Sequence, residues 1–244
     1  MDAVKRDIIA RLERDILPFQ GLKLLTTDNT INLGFRPMEQ AFPHAQFPIG
    51  ATHEFLSASP ADIAATNGFV SVLLSKLMQL DGAAAWISAS RTLFPAALKS
   101  YGIAPDKLIF IDMKKERDVF YAVEEALKCK RLSAVMGEIK QVSFKESRRL
   151  QLAAEQSRVT GFIIRHQPGL INTIACVSRW RISTLPSEPG EGLPGVGFPK
   201  WQVELLKVRN GRPGKWDLEW SHNRLQGTKQ PVFSITQHER QQTG

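Results

Sequence analysis

The sequence predicts an α/β protein built on a mostly parallel sheet, and three observations lead there. From residue 52 onward, apolar runs of strand length alternate with helix-period segments, the pattern of stacked β-α units. Beyond residue 172 the pattern changes to extended segments separated by Pro/Gly-rich turns, which suits antiparallel strands added to the same sheet. Finally, 244 residues with 43% hydrophobic content can bury a large core, enough for one main domain.

The elements follow in order. Residues 3 to 17 place Val4, Ile8, Leu12 and Ile16 at helical spacing among charges, and Pro18 and Gly21 end the pattern, giving an N-terminal helix with one sticky face. Residues 20 to 50, punctuated by Pro37, Pro43 and Pro48, read as a connecting arm. Residues 52 to 56 form a buried strand, Gly68 opens an apolar helix, and residues 57 to 67 are the loop between them. Strand two covers 83 to 88, a helix 93 to 101, and strand three 107 to 112. The helix at 116 to 128 sets Val119, Phe120, Val123 and Leu127 on one stripe. Strand four (133 to 139), a helix (143 to 158) and strand five (160 to 164) complete the parallel part. Residues 173 to 184, 200 to 208 and 216 to 220 are the antiparallel strands. Four prolines and four glycines between residues 185 and 199 mark a mobile loop, and the tail after Leu225 is expected to fray. The domain division is therefore 1–50 (helix and arm), 51–225 (core) and 226–244 (tail).

Charge points to a partner class. A formal net charge of +8 gives a surface that attracts polyanions, so nucleic acid leads. Cys129 and Cys176 lack ligand spacing, so neither a metal site nor a disulfide framework is expected. The charged, amphipathic N-terminus lacks a signal-peptide core and no apolar run reaches spanning length, so the expectation is a cytoplasmic protein with no membrane partner.

The strand-loop-helix at 52 to 80 lies where a nucleotide-binding fold puts its P-loop. That loop needs glycines to turn N–H groups toward phosphates, a lysine on the β/γ-phosphates and a hydroxyl on Mg²⁺. Here no Lys or Arg falls between Arg36 and Lys76, and Asp62 would repel a triphosphate. Ser57, Ser59, Asp62, Thr66 and Asn67, with Glu138 at the end of strand four, thus read as a degenerate nucleotide site. Weak anion binding at the helix opened by Gly68 stays open. Glu138 is read as a strand-end acid paired with a base such as Lys140, and Glu54 as a partnered strand residue. His53, His166 and His222 are scattered, and no Ser/His/Asp set assembles from spacing. No catalytic residue, metal or cofactor is assigned, and the expectation is a protein that is not an enzyme.

The C-terminal third is basic, with eleven Lys/Arg against six Asp/Glu from Arg165 onward. Alternation on one strand sends Arg179 and Arg181 to one face and Trp180 to the other. Lys207, Arg209, Arg212 and Lys215 follow, interleaved with Trp201, Trp216 and Trp220, a mixture that suits single-stranded nucleic acid. The competing reading puts the tryptophans, Trp180 and Trp201 first, in the core. Lys145, Arg148 and Arg149 form another basic stripe, diluted by Glu146.

The order of these features resembles a known family. Residues 33 to 43 and Phe47-Pro48-Ile49-Gly50 before Glu54-Phe55 are similar to the entry of the RecA core, and 206 to 214 to a late RecA strand. Together with His53-Glu54-Phe55, Gly68-Phe69, Gly137-Glu138, Ser178-Arg179-Trp180-Arg181 and the run 209 to 216, they resemble the ImuA family of RecA-like accessory proteins of bacterial mutagenic repair. The likeness covers roughly residues 30 to 225. It implies a RecA-like three-layer fold, with helices on both faces of the sheet. It also implies a non-catalytic role in SOS-induced translesion DNA synthesis, beside an ImuB-type Y-family polymerase relative and an error-prone polymerase, and relatedness to SulA-like division inhibitors. The ATP-site residues of RecA do not carry over: residues 57 to 67 lack the lysine, and Ser88-Ala89-Ser90 has no acid. The candidate DNA contacts are Arg179, Arg181, Lys207, Arg209, Arg212 and Lys215. Val4, Ile8, Leu12 and Ile16 are the candidate partner-docking stripe. Alternatives are a regulator of RecA filaments or of cell division, and an NTPase with an unconventional phosphate loop.

Overall fold

The computed structural model describes residues 31–79, 82–90, 93–169, 171–187 and 197–228. The stripe of Val4, Ile8, Leu12 and Ile16, the tail beyond 228 and residues 188–196 of the Pro/Gly-rich loop lie outside the described residues.

The strands are β1 (Thr52–Ser57), β2 (Ala83–Ser88), β3 (Leu108–Asp112), β4 (Leu132–Glu138), β5 (Thr160–His166), β6 (Ser178–Leu185), β7 (Lys200–Val208), β8 (Gly214–Ser221) and β9 (Arg224–Gly227). They form one sheet in the order β3-β2-β4-β5-β1-β6-β7-β8-β9. Every pairing from β3 across to β6 is parallel. Those from β6 to β9 are antiparallel, so β6 belongs to both halves. The long helices are α1 (Pro60–Met78), α2 (Glu116–Leu127) and α3 (Phe144–Ser157).

Period-two alternation distributes the core to both sides of the sheet. Phe55, Trp86, Met136, Phe162 and Trp180 join α1 in one apolar cluster. Ala85, Ile87, Val135 and Ile163 join α2 and α3 in a second. The layers are therefore α1, sheet, and α2 with α3, the arrangement expected of this sequence. The segment read as a helix at 93 to 101 is a 3₁₀ stretch, Pro95–Tyr101, and β9 adds a hairpin that the sequence did not announce.

The tryptophans decide between the two readings of the C-terminal third. Trp180, Trp201, Trp216 and Trp220 are all buried on the α1 side, where Trp180 stacks on Phe55 at 6.1 Å and 7°. Two of the indole N–H groups find partners: Trp180 Nε1 donates to Ser178 Oγ (2.7 Å) and Trp220 Nε1 to the Ser100 carbonyl (3.0 Å), whereas Trp216 Nε1 is buried with no hydrogen-bond partner among the described residues. The rings are core material, and base stacking on them is excluded by burial.

Gly68 corrects the expected helix start. It sits well inside α1, where an added Cβ would stand 2.8 Å from the Trp201 ring and 2.8 Å from the Tyr101 hydroxyl. Its role is close packing of helix on sheet. A Gly68→Ala change is expected to lose about 1–2 kcal/mol of stability, because overpacking outweighs the roughly 1 kcal/mol helix-propensity gain. Urea unfolding followed by circular dichroism checks this, and a more stable variant would contradict the packing argument.

Candidate functional site

The loop read at residues 57 to 67 is a tight turn. Only Ala58 and Ser59 separate β1 from α1, because Ser59 caps the helix and Pro60 takes its first turn, where a missing N–H costs nothing. The Ser59 hydroxyl accepts from Asp62 N (3.2 Å), and Asp62 Oδ2 accepts from Ser59 N (3.1 Å). Asp62 Oδ1 takes the Thr184 N–H of β6 at 2.8 Å. Asp62 is thus a buried helix cap tied to a neighbouring strand. Thr66 and Asn67, expected in the loop, are buried on the second turn of α1. The helix end offered for anion binding is closed by this capping box and lies eight residues before Gly68.

The remaining members of the expected nucleotide edge, Ser57 and Glu138, each bond a side chain of a neighbouring strand. Ser57 Oγ and His166 Nδ1, at the carboxyl ends of β1 and β5, are 2.8 Å apart. Glu138 Oε1 at the end of β4 accepts from Trp86 Nε1 of β2 at 2.8 Å. Lys140, expected beside Glu138, pairs with Glu116 at 2.6 Å. His166 Nε2 stands 3.7 Å from Glu138. Burial, aided by the Lys140 charge, pushes the His166 pKa down to about 4, so at neutral pH this contact is not a charge pair.

Glu54 organises the opposite face. Its carboxylate is 0% exposed and receives Arg165 Nη1 at 2.8 Å and Arg179 Nε. Arg165 also donates to the Lys140 carbonyl (3.1 Å), and Arg179 to the Asn172 carbonyl (2.5 Å). Arg179 is only 17% exposed. Its guanidinium is committed to Glu54, which takes it out of the open basic face the sequence suggested. Sequence reasoning missed Arg165 as a structural cation. The signal was an arginine ending the apolar run of β5, set against a glutamate in the fully buried β1.

His53, next to Glu54 but on the α1 side of the sheet, is buried and stacked on Phe47 at 4.4 Å. Nε2 donates to the Pro48 carbonyl (2.7 Å), leaving Nδ1 to accept from Ser178 Oγ (2.7 Å), whose oxygen takes the Trp180 N–H. Burial lowers the His53 pKa to about 4, so at neutral pH the ring is uncharged and Nδ1 is an acceptor.

The other candidate DNA contacts separate into two groups. Arg181, Glu204 and Lys215 lie side by side across β6, β7 and β8. Glu204 serves both cations, at 3.4 Å and 2.7 Å, so their charge is partly neutralised. Lys207, Arg209 and Arg212 gather at the β7–β8 turn. Lys207 and Arg212 are exposed, whereas Arg209 reaches Glu155 of α3 at 4.0 Å. The turn is held against the arm by Arg212 N donating to the Ala41 carbonyl (2.8 Å).

Fold and site together define a three-layer α/β protein whose strand-end edge is knitted by its own side chains. No family model matches the chain. Two curated relatives, both named Protein ImuA, come from Caulobacter vibrioides strains NA1000 / CB15N and ATCC 19089 / CIP 103742 / CB 15. Each is 31% identical over 206 residues, covering 80% of this chain and 84% of the relative. The chain belongs to the ImuA family.

Two predictions follow from this geometry. Removing Glu54 as Glu54→Gln leaves two guanidinium groups without their counter-charge and is expected to cost about 3 kcal/mol; an unfolding midpoint unchanged from the parent would refute the triad's role. The histidines set a pH window. His53 and His166 have folded pKa values of about 4, below the ordinary 6.5, so unfolding takes up protons between these values. Their contribution is full above about pH 6.5 and is lost as pH falls toward 4, by roughly 3 kcal/mol for fully buried His53. Urea titrations at stepped pH read this directly, and stability that stays level down to pH 4 would rule out neutral burial.

Proposed function

We propose that the chain is a non-catalytic accessory protein of damage-induced, error-prone DNA synthesis, acting as an adaptor beside an ImuB-type Y-family polymerase relative and an error-prone polymerase. The observation that carries the non-catalytic part is the two-residue link from β1 to α1. A phosphate-wrapping loop needs a G-x-x-x-x-G-K run between strand and helix, and Ala58-Ser59 has neither the length nor the lysine. Asp62, with both oxygens occupied by the helix cap and β6, places a carboxylate where a phosphate would have to sit. Family membership supports the pathway, and the mixed charge of the antiparallel face restricts where DNA could be met.

Purified protein is expected to show no ATP turnover above background and no nucleotide-dependent rise in melting temperature at millimolar ATP and Mg²⁺. Turnover that disappears in Glu138→Gln would defeat the reading.

Direct contact with single-stranded DNA, if made by this chain, falls first to Lys207 and Arg212 at the β7–β8 turn, because Arg179 is committed, Arg181 and Lys215 share Glu204, and Arg209 reaches Glu155. Lys207→Glu with Arg212→Glu should weaken oligonucleotide binding by about tenfold and flatten its salt dependence by roughly two phosphate contacts. Fluorescence anisotropy across a salt series measures both, and an unchanged slope would remove this turn from the interface.

A further inference from the structure

A face of the molecule outside the sites above carries large apolar side chains that no other described residue covers. On α2, Tyr121 is 56% exposed; on α3, Phe144 and Leu152 are 57% and 40% exposed. The inward sides of both helices are fully used: Val119, Val123 and Leu127 on α2 and Leu150, Ala153 and Ala154 on α3 are buried. The exposed residues are therefore a second, outward stripe. On α3 it runs Phe144, Arg148, Leu152, spaced i, i+4, i+8, which puts its apolar ends roughly 12 Å apart along the helix. The two helices pack together through Arg149, which bonds Glu124 and lies over the Phe120 ring at 5.2 Å. Between their amino-terminal halves runs a groove of about 620 Å³ that is mixed in charge, with Glu116, Asp118 and Glu146 lining it beside Tyr121, Arg117 and Lys140, so the open cations that could meet a partner lie outside it on α3.

Once the local pairs are subtracted, this face keeps a small positive excess. Glu116 is held by Lys140, Asp118 by Arg117 and Glu124 by Arg149, while Glu146 keeps its charge because its partner, the Ser143 cap, is neutral. Lys145 and Arg148, exposed on the outward side of α3, make no ion pair among the described residues. Open cations thus flank open apolar rings.

We propose that the α2–α3 face is a protein-docking surface, and that its occupant is an acidic amphipathic helix of a partner. That helix would lay two large apolar side chains about a heptad apart over Tyr121, Phe144 and Leu152 and set carboxylates against Lys145 and Arg148. A heptad of helix rises about 10.5 Å, close to the span of the stripe. Charge complementarity selects an acidic segment over a basic one, and the apolar side chains select protein over nucleic acid. The proposal deepens the adaptor reading by naming a second-partner surface separate from the β7–β8 turn.

The test uses the full chain and a labelled synthetic peptide with leucines at i, i+4, i+7 and i+11 and glutamates between them. Fluorescence anisotropy should show saturable binding that weakens with salt. Lys145→Glu or Arg148→Glu should reduce affinity by about tenfold, and Phe144→Ala or Leu152→Ala by about fivefold. Tyr121→Ala, on the other helix, gives an independent variant should an α3 change impair folding, which the melting temperature monitors. Lys207→Glu with Arg212→Glu, equal in charge change but distant, should alter peptide binding less than about twofold. The proposal is overturned if the acidic peptide does not bind, if a lysine-for-glutamate version binds as well, or if the distant reversals are equally damaging. Displacement of the peptide by single-stranded DNA at this face, lost in Arg148→Glu, would assign the surface to nucleic acid and also overturn it. Nucleotide turnover by the protein would defeat the adaptor reading while leaving peptide binding as a separate result.

Discussion

One carboxylate holds the centre of this structure together. Glu54 lies on β1, which has β5 on one side and β6 on the other, and its two oxygens take one arginine from each neighbour. Because these groups are withdrawn from water, loss of any one leaves a charge that the interior cannot solvate. Apolar side chains of similar volume could fill the same space at least as stably, so the triad is better understood as a device for register than for strength. A strand slip of one residue would turn Glu54 to the α1 side, into Phe55, Phe69 and Trp180. The constraint thus fixes β5, β1 and β6 relative to one another. Asp62, bonded to Thr184, ties α1 to the same β6 from the opposite side of the sheet.

Much of this was legible in the sequence. Apolar runs located the parallel strands to within a residue or two, because a strand buried on both faces must be apolar along its length. Alternation in Arg179-Trp180-Arg181 gave the correct faces. The sequence pattern puts Pro60 in the loop before α1, and the structure starts the helix there. After a capping serine, and two residues before Asp62, proline is instead a helix opener. The fate of the arginines could not be read locally. Arg179 and Arg181 share a face, yet one meets Glu54 and the other Glu204, and those partners are 125 and 23 residues away. Whether a cation is free depends on cross-strand register, which a single strand does not encode.

The strand-end edge illustrates the same dependence. Ser57, Glu138 and His166 are polar residues at the carboxyl ends of adjacent parallel strands, the position where open α/β sheets commonly meet ligands. Here each has an internal use: Ser57 and His166 bond each other, and Glu138 receives Trp86. A short turn brings the capped start of α1 close behind them. Polar character at a strand end therefore does not by itself mark chemistry, since hydrogen bonds between strands serve the fold as well.

Burial of the tryptophans has an optical consequence. All five, Trp86 included, are enclosed, three of them among the largest fully buried side chains, and all belong to the α1-side cluster that spans both halves of the sheet. Their emission reports the apolar environment of that cluster. It will redden when water enters the core and stay constant when something settles on the outer surface. The protein thus carries a built-in spectroscopic gauge of its own integrity, and ligands at the basic turn or on the helices must be followed with a label placed elsewhere.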